Sequence, residues 1–250
     1  MDRLIYTAVS GMSASLNRQR VIASNMANAQ TIGFRAETME FTPMTLEGPS
    51  LEVRAMNQTQ VRGALMSEGT LTRTGRELDV ALQGDAMLTV QAGDGGEGYT
   101  RRGDLTISAT GVLQNGEGYP VMGDGGPVTV PLGAAVTITP DGAVLAGNPA
   151  APDDPPVEVA RLKLANWRGS KLDKDLTGLF RVPAGPNTFG VLPKDANARL
   201  VTGALEQSNV KPAEVLVEMV EAQRLYDLRT KLIATARDID EGGASLMRMT

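Results

Sequence analysis

Residues 2–28 read DRLIYTAVSGMSASLNRQRVIASNMAN, and their spacing decides the architecture. Apolar or small side chains recur at Ile5, Val9, Met12, Leu16, Ala23 and Met26, with Gln19 in the remaining slot. The steps alternate between four and three, which is a heptad seam along one side of a helix. Asp2 can cap the start, no proline intervenes before Pro43, and Gly11 is the weak interior residue. A helix from Asp2 to Asn28 extends about 40 Å. It gives way to Asn28, Gln30, Thr31 and Gly33, a natural stop.

A seam this narrow cannot be buried by its own helix, and the far end of the chain offers a partner. Val215, Met219, Ala222, Tyr226, Ile233 and Ala236 keep the same alternation, with Arg229 as the polar slot. Pro212 suits a first helical turn, Ser208 and Asn209 can cap it, and Gly242-Gly243 reads as its end. The two terminal helices are therefore expected to pair as a coiled coil. Pairing alone leaves Leu4, Val21, Ile22, Leu225, Leu228 and Leu232 only partly covered. That surplus points to packing against further copies of the chain.

Between the helices the period changes. Leu78 to Leu82, Met87 to Val90, Leu105 to Ile107, Val128 to Val130, Ala135 to Ile138 and Val157 to Leu164 are short runs rich in β-formers. Asn115-Gly116 and Asp141-Gly142 are hairpin signals, and the proline-rich stretch Gly147 to Pro156 reads as an exposed loop. The fold class is α+β, mainly β, with an all-β central domain inserted between long N- and C-terminal helices. The expected organisation is a discontinuous helical domain of residues 1–35 plus 208–250 and an extended linker region of 36–75 plus 196–207. A β-rich domain spans 76–195.

Composition narrows the chemistry. With 42% hydrophobic and 21% charged residues, the 250-residue chain can bury a core and is not disordered. It has no cysteine and no histidine, which excludes disulfides, zinc sites, haem ligation and every Cys/His or Ser-His-Asp device. The net charge of −5, without a basic stretch, gives no reason to expect nucleic acid or an anionic membrane as partner. No apolar run reaches the roughly 18 residues that span a bilayer, and the N-terminus lacks the pattern of a cleaved signal peptide. Its arginines and few acids match the composition of an organelle transit peptide, but the seam explains the same stretch.

Carboxylates are the acid/base equipment left: Asp79 with Asp85, Asp94 with Asp104, and Asp153 with Asp154. All lie in turn-rich contexts, where Asp caps local backbone groups. Gly93 to Gly96 and Gly123 to Gly126 lack a Walker lysine and open no helix, so they read as hairpin turns. Trp167 reads as a core or rim anchor. No cofactor, metal or catalytic residue is expected.

Three motif groups carry a resemblance. Ala23-Ser24-Asn25-Met26-Ala27-Asn28, followed by Thr31, Gly33, Phe34 and Arg35, resembles the N-terminal signature of the bacterial flagellar rod and hook proteins, A-N-N-L-A-N-x-x-T-x-G-F-K/R. Ser24 stands where that signature has Asn. Thr74 to Gly84 resembles the family's central TGRxLDxAxxG element, and Tyr99 to Leu105 with Gly111-Val112-Leu113 its following hairpin. Glu206 to Val210 and Glu218 to Asp227, including Ser208, Asn209, Gln223 and Arg224, resemble its C-terminal signature. The opening Met1 to Met12 is more like the proximal-rod branch than the distal-rod branch.

The resemblance implies a non-enzymatic structural subunit of the proximal rod in the flagellar basal body. Such a subunit polymerises through its terminal helices into part of the drive shaft that carries torque from motor to hook. It implies a periplasmic rod location, and passage through the flagellar type III export apparatus without a cleaved signal. The implied partners are copies of itself and other rod proteins. Asn25, Asn28 and Gln223 are then placed to fix register by hydrogen bonds. The alternatives are a distal-rod or hook-type subunit, and a secreted β-rich module that binds or hydrolyses glycans.

Overall fold

Helix α1 runs from Asp2 to Ala27 and helix α2 from Pro212 to Arg248. The computed structural model describes residues 2–45, 55–148, 154–175, 177–185 and 188–248. Within them, side chains are described outside 2–8, 40–45, 55–62, 240 and 242–248. Asp153, one of the candidate carboxylates, lies outside the described residues. The chain is α+β and mainly β, and it groups into two units. One unit holds Met1–Ala27, Glu37–Gly63 and Val210–Thr250; the other holds Asn28–Ala36 and Ala64–Asn209.

In the helical unit, strands β1 (Glu37–Thr45) and β2 (Ala55–Ala64) pair with each other. Sequence reads this stretch as part of the extended linker region 36–75. Pro212 opens α2, and the capping position falls at Lys211, whose carbonyl accepts from Val215 N at 3.1 Å. Ser208 and Asn209 lie before that position and do not cap the helix. Nor does Gly242-Gly243 end it: α2 continues to Arg248. Each interior glycine costs about 1 kcal/mol relative to alanine, which helix formers on both sides can absorb.

In the β unit, β3 (Leu71–Arg73) pairs with β19 (Ala204–Glu206), and β4 (Val80–Leu82) with β18 (Leu200–Thr202). These pairings join the first strands of the unit to its last. A six-stranded antiparallel sheet is built on β5 (Ala86–Gln91) and β6 (Glu97–Thr100). On it lie β14 (Leu164–Asn166), β15 (Asp173–Lys174), β16 (Phe180–Gly185) and β17 (Thr188–Gly190). Smaller hairpins are β7 (Leu105–Ile107) with β8 (Leu113–Asn115), and β9 (Met122–Gly123) with β10 (Gly126–Pro127). A three-stranded sheet holds β11 (Ala135–Ile138), β12 (Ala143–Gly147) and β13 (Val157–Arg161). The run Val157 to Asn166 therefore serves two sheets in turn.

Strand β5 is buried on both faces. Leu88 and Val90 enter a core with Val80, Leu105, Leu113 and Leu162, while Met87 enters another with Tyr99, Phe180 and Leu192. Trp167 is half-buried at the margin of the second core. The hairpin signals fold as turns: Asn115 Oδ1 accepts from Glu117 N and Tyr119 N, and Gly142 closes β11–β12 at φ +85°. There Thr139 Oγ1 donates to Asp141 at 2.5 Å and Arg161 Nη1 at 2.8 Å, which holds this exposed carboxyl at a pKa of about 2.

Two outcomes test this packing. Leu113→Ala in a fully buried site should cost about 3 kcal/mol in urea unfolding; a loss below about 1 kcal/mol contradicts the core assignment. NMR titration should place the Asp141 carboxyl near pH 2. The folded pKa lies below the free value, so its contribution is present above about pH 4 and lost as pH falls through 2. A titration at the ordinary value contradicts the hairpin network.

Candidate assembly site

The helical unit presents two kinds of helix face. On α2, Val215 and Ala222 are buried, and Met219, Tyr226, Arg229, Ile233 and Ala236 are half-buried. On α1, the buried row is Ala14, Ser15, Val21, Ile22 and Asn25. It lies one position away from the heptad row read from sequence. Of that row, Met12 and Met26 are half-buried and Ala23 is exposed. Val9 and Leu16 are 52% and 49% exposed, and the Ile5 side chain lies outside the described residues. The two helices pack against each other, with Arg229 Nη1 donating to Gly11 O and to Ser15 Oγ. Small residues on that side of α1 let a neighbouring helix approach.

A second apolar set therefore stays open. Val9 and Leu16 on α1, and Leu216, Val217, Val220, Leu228, Leu232 and Ile239 on α2, are about half exposed or more. Open apolar side chains in this number make the two helices the candidate interaction surface. Gln223 and Arg224, from the C-terminal motif, are exposed among them.

The N-terminal motif residues build a tight exit from α1. Asn25 Oδ1 accepts from Glu37 N at 2.7 Å and its Nδ2 donates to Glu37 O at 3.1 Å, so one side-chain amide substitutes for a β-ladder partner. Within the β unit, Thr31 closes a turn on Asn28 through both backbone and hydroxyl. Gly33 sits at φ +68°, and a β-carbon there would stand 2.5 Å from the main chain of Arg101 and Arg102. Only glycine fits. Phe34 carries the Lys174 ammonium 3.6 Å from its ring centroid. Asn209 Oδ1 accepts from Ala36 N at 2.7 Å, and its Nδ2 donates to Leu65 O and Ser67 O. This clamp is where its amide goes in place of a helix cap. Ser208 beside it is half-buried.

The β unit also holds a buried charge knot. Arg35, Arg101 and Glu206 are 1%, 2% and 1% exposed. Glu206 Oε1 accepts from Arg35 Nη2 at 2.6 Å and Gly69 N at 2.7 Å; Oε2 accepts from Arg101 Nε at 2.8 Å, with Arg101 Nη2 at 2.7 Å. Arg101 also donates to the carbonyls of Leu82, Gly84 and Ala86, so its whole fork is engaged. Burial lowers the pKa of Arg35, with Glu206 pulling it back up and Arg101 adding to the fall. Gly33 N donates to Glu206 O at 2.7 Å, and a β-carbon at Gly69 would meet Gln207 O at 1.9 Å. The arrangement has no reacting group exposed to a substrate; it joins three distant stretches of chain.

Four of the candidate carboxylates are likewise engaged. Asp79 is buried and accepts from Thr74 Oγ1 at 2.6 Å, Asp94 binds Arg181, Asp104 binds Arg102, and Asp85 binds Arg168. Among the described residues no cluster of Asp and Glu has the makings of a metal site, and no helix is long and apolar enough to cross a membrane.

Arg35, Arg101 and Glu206 each lie in one of the sequence motifs, but nothing in the sequence shows that they meet. Their separations of 171 and 105 residues carry no periodic signal. The phase of the α1 seam was hidden because two apolar stripes overlap on one helix.

Comparison with known proteins follows the same segments. Residues 5–35 match the family described as "Flagella basal body rod protein", and residues 81–146 match "Flagellar hook protein FlgE/F/G D1 domain". Residues 201–246 match "Flagellar basal body rod FlgEFG protein C-terminal". The chain is 43% identical over 247 residues to the flagellar basal-body rod protein FlgF of Salmonella typhimurium, covering 98% of each chain. It is 42% identical to FlgF of Escherichia coli, covering 95% of each. To FlgG of Bacillus subtilis it is 31% identical, over 99% of this chain and all of the relative.

Glu206→Gln should expose the role of the knot, because it leaves two buried guanidinium groups without their buried countercharge, with only the exposed Glu68 carboxylate 4.0 Å from Arg101. Removing one partner of a buried ion pair costs about 3–5 kcal/mol. Urea unfolding of the full chain reads this directly, and a loss under about 1 kcal/mol, the range of a surface pair, contradicts the buried role.

Proposed function

Since the chain belongs to the flagellar basal-body rod family, as a FlgF-like structural subunit and not an enzyme, we propose that it polymerises through its terminal helices into the proximal rod. The observation that carries this reading is the open apolar set on α1 and α2, which one chain leaves unburied. A head-to-tail interface repeated by a rotation that does not close builds an open helical filament. Apolar burial, at about 25 cal/mol per Å², supplies most of its cohesion.

In this reading α1 and α2 pair as a coiled coil and, with further copies and other rod proteins, form the inner layers of a tube. The heptad residues Ile5, Val9, Met12, Leu16, Ala23 and Met26 face neighbours, as do parts of the α2 seam. Residues 1–35 with 208–250 act as the assembly domain, 36–75 with 196–207 connect it, and 76–195 form the outer β domain. The rod lies in the periplasm and transmits torque from motor to hook. The chain reaches it through the flagellar type III export apparatus. Gln223, exposed on α2, supplies directional hydrogen bonds to neighbours that apolar packing lacks, while Asn25 and Asn28 fix the exit of α1 within the chain.

The likeness to FlgG from Bacillus subtilis motivates a second reading, a distal-rod subunit. Copy number and position in isolated basal bodies separate the two, since a proximal subunit is present in few copies near the export gate.

Deleting residues 2–28 should leave the β unit folded by circular dichroism but abolish incorporation into basal bodies and swimming. Normal motility of the deletion strain contradicts assembly through the terminal helices.

A further inference from the structure

Arg229 occupies the polar slot of the α2 seam, and its contacts are with α1. Its Nη1 donates to the main-chain carbonyl of Gly11 and to the hydroxyl of Ser15. Gly11 makes the room: a β-carbon there would stand 3.6 Å from Arg229 Nε and 3.7 Å from Cζ. A methyl fits at that distance, but a longer side chain would displace the guanidinium.

These contacts bear on a choice that apolar packing would make differently. The two stripes of α1 lie one residue apart, about 100° around the helix. One carries Gly11, Ala14, Ser15 and Ile22; the other carries Met12, Leu16 and Ala23, with Val9. By apolar area alone the second stripe is the better cover for α2. Yet Ser15 and Ile22 are 3% exposed while Leu16 is 49% exposed. A single polar group in an apolar helix seam is a known way to specify one arrangement among several.

We infer that Arg229 is a positioning residue that selects the face of α1: it holds the Gly11/Ser15 side against α2 and so keeps the Val9/Leu16/Ala23 side free for a second copy of the chain. The use of the free side rests on the assembly reading above. The selection itself is intramolecular and is tested apart from it. One heptad beyond Ser15 stands Ile22, and one heptad before Arg229 stands Ala222, also 3% exposed. In an antiparallel pair these two are level.

The chain has no cysteine, so introduced pairs report the face without background. Purified full-length chain carrying Ile22→Cys with Ala222→Cys is oxidised beside chain carrying Ala23→Cys with Ala222→Cys. In the parent background the first disulfide should form about tenfold faster, the protection expected of a stable local arrangement. Arg229→Leu should bring the ratio to unity or invert it, with helicity by circular dichroism retained. Arg229→Lys keeps a donor and should keep the parent ratio, an outcome that loss of bulk alone does not produce. Gly11→Leu displaces the guanidinium without altering Arg229 and should shift the ratio as Arg229→Leu does, which carries the test if Arg229→Leu fails to fold. A ratio near one in the parent, or the parent ratio in both altered chains, overturns the inference. Incorporation into basal bodies is scored in parallel. A shifted ratio with normal incorporation upholds the selector and removes its link to assembly. An unchanged ratio with lost incorporation overturns the selector and leaves assembly through the helices standing.

Discussion

One carboxylate holds the β unit shut. Glu206 receives Arg35 from 171 residues upstream and Arg101 from 105 residues upstream, with all three side chains buried. A chain that goes out into a domain and returns needs a place where its two passes are tied, and here that place is ionic. Buried ion triads are not strong stabilisers, because desolvation offsets much of their attraction. What they give is a penalty for every alternative arrangement, since any mispairing leaves a buried charge alone. Around this point the backbone comes too close for side chains, which is why Gly33 and Gly69 are glycine. The pairings of β3 with β19 and β4 with β18 continue the same closure with hydrogen bonds.

The helical unit follows a different logic. Its contacts leave apolar surface over, and α1 carries more apolar side chains than one partner helix covers. A stable monomer has little use for two stripes on one helix. A subunit that must pack on its own α2 and also on neighbours needs both, kept distinct. Under the proposed rod assembly, small residues and one arginine serve the inner contact, and bulky residues serve the outer one.

How far all this was legible depends on range. Local signals read well: the period of residues 2–28 marks α1, runs of β-formers mark β5 and β11, and the hairpin turns form where Asn115 Oδ1 and Thr139 Oγ1 cap the backbone. Misreadings arise where a residue answers to something distant. Asn209 has the composition of a cap and is drawn instead to Ala36, Leu65 and Ser67. Gly242-Gly243 has the composition of a stop and is overridden by the helix around it. Charges in the motifs gave no hint of their partners, because an ion pair leaves no period in the sequence. On α2 the heptad positions are buried or half-buried, whereas on α1 the buried row lies beside them, where small residues bury better than large ones.

The closure at Glu206 is the claim on which the rest depends, and amide hydrogen exchange of the full chain tests it most directly. The amides of Gly33, Gly69 and Gln207 bond to Glu206 O, Glu206 Oε1 and Thr70 O. If the knot closes the unit, they should exchange only through the opening that exposes the core amides of Leu113 and Val121, at the same free energy. Exchange of these three amides at a free energy well below that of the core would contradict it.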